Sequence, residues 1–158
     1  MMRATFLISI ILSFLSSNAM DDVRSLYLQA VTKQKANTEL LDILDTKDQN
    51  NPLVQGYKAV AIMMRAQYTP NPYYKYKYYR EGKSQLESVI AKNGNNSELH
   101  YLRVCVQVNL PEFLDYRDNI EEDVQVLKNA LRTDIPENLR IMYQVVIDEY
   151  VKTKSSNP

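Results

Sequence analysis

The spacing of residues between Gly82 and Arg103 constrains this chain most. Gly82 is followed four residues on by Leu86 and three further by Val89, offsets that keep side chains on one helix face. Asn93-Gly94-Asn95-Asn96 interrupts that run. Ser97-Glu98-Leu99-His100-Tyr101-Leu102-Arg103 then opens a second helix. The same four-then-three offset recurs at Ala36, Leu40 and Ile43, and at Asp123, Leu127 and Ala130, each followed by a turn. Three such segments in order predict stacked helical hairpins. Only 3 glycines in 158 residues also disfavour a glycine-punctuated β fold.

Taken in order, the apolar spacing predicts about seven helices. Val23, Leu26, Tyr27, Ala30 and Val31 form one face of the first, with Asp21 and Asp22 at its positive end. The second runs from about Lys33 to Asp45. Asn51-Pro52 suits the start of the third, which reaches Tyr68 and carries the stripe Leu53, Tyr57, Val60 and Met64. Pro70 and Pro72 end it, and residues 69–78 read as a long connection into the helix of Gly82. Ser97–Leu110 is apolar on two faces and is expected to be central. Pro111 stops it. Residues 112–119 form a loop, and Asp118 or Asn119 caps a sixth helix over 120–132. The last helix follows Pro136, with the stripe Leu139, Met142, Tyr143, Val146 and Tyr150, and residues 153–158 are a polar tail.

Residues 1–19 stand apart. Arg3, an apolar run from Ala4 to Leu15 and the small residues Ser17 and Ala19 make a secretory signal peptide pattern. The run is short of the about 20 residues of a membrane span. The expected organisation is therefore a signal peptide over 1–19 and one helical domain over 20–152. The expected location is the periplasm or cell surface. Lys+Arg and Asp+Glu balance at 19 each, so the charge gives no global pull toward nucleic acid or an anionic membrane. Cys105 is the one cysteine, flanked by Val104 and Val106, and reads as a buried thiol.

Residues for catalysis are scarce. His100 is the sole histidine and has no serine elbow, so it is expected to pack against the preceding turn. No zinc pair, phosphate loop or dinucleotide fingerprint occurs, and no catalytic, cofactor or metal residue is assigned. Glu112, Asp115, Asp118, Glu121, Glu122 and Asp123 lack the alternation and glycine of a calcium loop and read as a solvated face. The stretch Tyr73, Tyr74, Lys75, Tyr76, Lys77, Arg80 stands out, because tyrosines between cations suit a partner surface. The competing reading places Tyr74, Tyr78 and Tyr79 in the core.

The small–large–small face at Gly82, Leu86 and Val89, with its polar turn and following helix, resembles the junction between two tetratricopeptide repeats. Gly94 stands where that family usually has proline, and Arg103 where it usually has leucine. The resemblance implies an all-α right-handed superhelix of about three hairpins plus a C-terminal capping helix. It also implies a non-enzymatic scaffold that holds a protein or peptide. An envelope glycan is a further possible ligand. Two alternatives stand beside it: a hydrolase using the acids of 112–123, and a homo-oligomer joining the basic central stretch to a neighbour's acidic loop.

Overall fold

The computed structural model describes residues 20–156, so the signal peptide expected over 1–19 lies outside the described residues. Seven α-helices follow one another: α1 (20–30), α2 (Gln34–Asp45), α3 (Pro52–Tyr68), α4 (Pro72–Lys92), α5 (Ser97–Asn109), α6 (Ile120–Ala130) and α7 (Glu137–Ser156). No strand occurs among the described residues. The contacts follow the chain. α3 packs on α2, α4 and α5, while α5 packs on α4, α6 and α7, and α6 packs on α7. α3 and α5 thus each touch their own partner, the preceding even helix and the next odd helix. That is an all-α superhelix of helical hairpins, with α7 closing the stack.

The three repeated offsets fall on α2, α4 and α6, the second helices of the three hairpins. Leu40, Leu86 and Leu127 are each fully buried, one per hairpin. Between α3 and α4 the approach is close enough to require glycine. A Cβ at Gly82 would collide with the Ala59 carbonyl oxygen on the opposing backbone. α5 is central, as its two apolar faces predict, with Leu99, Tyr101, Leu102, Val104 and Val106 buried.

Two expectations are corrected. Residues 69–78 are not a long connection, because α4 begins at Pro72. Asn71 Oδ1 accepts from the Tyr73 amide there, and Pro72 takes the first helical position. The same Asn-Pro device starts α3 at Asn51-Pro52. The second correction concerns the tail. Helix α7 runs on to Ser156, where the Lys154 ammonium lies 2.6 Å from Glu121 on α6. At α6, Asn119 holds the cap position without a side-chain capping bond.

Helix α1 closes the odd-helix face. Its Asp21 accepts from Asn138 on α7, and Arg24 forms a two-pronged pair with Glu98 on α5 at 2.8 Å. At its far end, the Ala30 and Val31 carbonyls accept from Tyr68 and Gln67 at the end of α3. α1 therefore crosses this face diagonally, from α7 to the tip of α3. Beneath it Tyr27, Tyr57, Tyr101 and Tyr143, one from each odd helix, are buried. Tyr27 meets Tyr57 edge to face at 5.3 Å between centroids, and Tyr101 stacks on Tyr143 at 5.5 Å. Tyr57 also donates to Glu98. These rings form a continuous packed row on the odd-helix side.

Candidate partner surface

The buried polar groups come first, because they show where chemistry is not available. His100 Nδ1 lies 2.5 Å from Asp123 Oδ1, and Nε2 lies 2.8 Å from the Gly94 carbonyl oxygen. Both neighbours are acceptors, so the doubly protonated imidazolium is favoured. The Asp123 hydrogen bond, reinforced by the Gly94 carbonyl, outweighs burial and raises the histidine above its ordinary value. Neither nitrogen is left to take a proton from a nucleophile. His100 thus packs against the preceding turn, as expected from sequence.

Asp123 departs from the solvated face expected of its acidic run. It is fully buried and takes two hydrogen bonds from Arg103, at 2.6 and 2.8 Å. Burial alone would raise its carboxyl. The bonds from Arg103 and His100 win and hold it below the usual range. Arg103 continues to Glu87 on α4, which also accepts from Tyr116. Arg103, the departure from the repeat pattern noted in the sequence, is the cation that a buried Asp123 requires. Asp115, Asp118, Glu121 and Glu122 remain exposed. No group of three or more potential metal ligands occurs among the described residues. Cys105 is half-buried, and burial pushes its thiol up to about 11, against the hydrogen bonds of the Tyr101 and Tyr27 hydroxyls. It is a poor nucleophile.

The tyrosine and lysine stretch forms the first turns of α4, with residues 73–77 exposed throughout. Tyr73, Tyr74 and Tyr76 are 69%, 44% and 56% exposed, Tyr78 is half-buried and Tyr79 is buried. Of the three tyrosines with a core reading, only Tyr79 belongs fully to the core. Tyr73 meets Tyr74 edge to face at 5.4 Å, Tyr74 stacks on Tyr78, and the Arg65 guanidinium sits 4.9 Å above the Tyr78 ring. This track leads into a groove of about 510 Å3 lined by α2 and α3, with Tyr78 the α4 residue at its end. Leu41 and Asp42 wall it on α2, Ile62 and Arg65 floor it on α3, and Tyr68 and Tyr78 close one end.

Tyr73, Tyr76, Lys77 and Arg80 share the outward face of α4 at spacings of three and four, and Arg80 lies over the Tyr76 ring. Arg65, Lys75, Lys77, Arg80 and Lys83 have no ion pair among the described residues, as is also true of Lys33, Lys47, Lys92, Lys128 and Arg132, but Lys75, Lys77, Arg80 and Lys83 gather on one stretch of α4. Local charge on α4, rather than net charge, is the signal that composition hides.

No helix among the described residues is long and apolar enough to cross a membrane. Comparison with known protein families, with curated proteins and with solved structures gave no match. The fold and the surface therefore define the class by themselves: a helical-hairpin stack with an aromatic, cationic tip.

Proposed function

We propose that this chain is an exported, non-enzymatic binding module of the tetratricopeptide-like kind, which holds a protein or peptide in the cell envelope. One observation carries the reading. The exposed rings of Tyr73 and Tyr74 run through Tyr78 into the groove of α2 and α3, beside the unpaired cations Lys75 and Lys77. Tyrosine gives large contact area at low entropy cost, and a groove beside it supplies concavity. The odd-helix face, the usual place for a ligand in an open hairpin stack, is covered by α1, so the partner approaches from the α2 and α4 side. The signal-peptide pattern of residues 1–19 supports export.

Selection from a displayed peptide library tests this. Selected peptides are expected to bind at least about tenfold more weakly to Thr38→Trp, which places an indole in the groove, a loss of about 1.4 kcal/mol. A variant with Ser at Tyr73, Tyr74, Tyr76, Lys75 and Lys77 is expected to lose them as well. Unchanged binding by both variants would remove this surface as the site.

A further inference from the structure

The intra-hairpin connections 31–33, 69–71 and 110–119 lie at one edge of the stack, because successive helices run back and forth. Two of these tips carry opposite charge. The tip of the second hairpin holds Lys75, Lys77 and Arg80, exposed and without carboxylate partners. The tip of the third holds Asp115, Asp118 and, at the start of α6, Glu122, exposed and without cationic partners among the described residues. Each tip also bares aromatic surface. Phe113, in the 3-10 turn Glu112–Leu114, is 83% exposed, the largest exposure among the described large apolar side chains. The tips adjoin at Lys83, whose ammonium sits 4.1 Å above the Tyr116 ring.

We propose that the outward face of the α4 tip docks a second copy of this chain through that copy's 111–122 tip. This deepens the partner-surface reading and rests on it. A patch of one sign lies beside a patch of the other on a single edge. A two-fold rotation therefore sets each patch against its opposite twice, giving a closed, self-complementary dimer. Phe113 of each copy meets the Tyr73 and Tyr76 rings of the other, removing exposed aromatic surface from water. Lys77 and Arg80 face Asp118 and Glu122. The chain's formal net charge of +0 leaves no overall repulsion between copies. The groove of α2 and α3 itself stays open to a separate ligand, while Tyr73 is shared between the dimer contact and the track that leads to it.

Sedimentation of the purified protein tests the proposal. The expected result is a dimer at about 0.01 M salt that dissociates toward monomer at about 1 M, where screening cuts the reach of charge about tenfold. Phe113→Ser is expected to weaken the dimer at least about tenfold. Lys77→Glu/Arg80→Glu and Asp118→Lys/Glu122→Lys are each expected to be monomeric alone. Mixed in equal amounts, they are expected to form a heterodimer, since both contacts then regain opposite signs. Circular dichroism of each variant confirms its helices, and a failed fold in one leaves the Phe113→Ser and salt arms to decide. A wild-type monomer at low salt, or charge-reversed variants that do not recombine, would overturn the proposal. Such a monomer whose peptide binding still falls with Thr38→Trp refutes the dimer alone. Loss of neither property in the α4 variants refutes the partner surface itself.

Discussion

At the residue scale the decisive group is Asp123. It is the third member of a repeated spacing whose other first positions are Ala36 and Gly82. A carboxylate there is tolerated only because Arg103 and His100 neutralise it. Asp123→Asn leaves Arg103 in a buried site with a weaker partner and is expected to cost about 3 kcal/mol or more, read from urea unfolding. A loss below about 1 kcal/mol would show that the network contributes little. The same site sets a pH dependence. His100 is raised above its ordinary 6.5, so its contribution is complete below that pH and fades as pH rises through the folded value. Asp123 is held below its ordinary 3.8, so its contribution is present above that pH and fades as pH falls through its folded value. The urea midpoint is expected to fall as pH rises above about 6.5, and His100→Gln is expected to flatten the fall. A wild-type midpoint that holds level over this range would contradict the arrangement.

At the scale of elements, the α3–α4 hairpin is the tightest, and its two glycines separate propensity from packing. Gly82→Ala gains about 1 kcal/mol of helix propensity. Its Cβ, however, strikes the Ala59 carbonyl and crowds the Met63 backbone, neither of which can turn aside. A net loss of about 1–3 kcal/mol is expected. A Cβ at Gly56 meets the side chains of Leu99 and Leu102 instead, and these can rotate. Gly56→Ala is expected to lose less, so thermal melts should rank wild type above Gly56→Ala above Gly82→Ala. The reverse order would mean that α3 and α4 sit farther apart. The helices themselves were readable from spacing, and the start of α3 from Asn51-Pro52. The start of α4 was equally present in Asn71-Pro72. The prolines read as the end of one helix also begin the next, and the run of tyrosines lacks the apolar periodicity that marks a helix.

At the scale of the molecule, α1 makes the stack behave as one unit. An open array of hairpins unfolds by nearest-neighbour steps, because each repeat touches only the next. Here Arg24 joins Glu98, and Asp21 joins Asn138, across separations of 74 and 117 residues. Unfolding is expected to be a single transition, with far-ultraviolet ellipticity and tyrosine fluorescence coinciding. Glu98→Gln removes the charge opposite Arg24 and a strong acceptor of the Tyr57 hydroxyl. It is expected to cost about 3–5 kcal/mol and to separate the two curves. Coincident curves in that variant would place the coupling elsewhere.

The sequence by itself determined the all-helical hairpin pattern, the central place of α5 and the tyrosine-cation segment. These depend on residues within a few positions of one another, where helix periodicity and capping chemistry act. It also held both members of the Arg103–Asp123 pair, though not their meeting. Tertiary structure decided which face stays open. The closure of the odd-helix side by α1 and the burial of Asp123 depend on contacts between helices distant in the chain, Arg24 with Glu98 and Arg103 with Asp123, and spacing along one helix does not encode them.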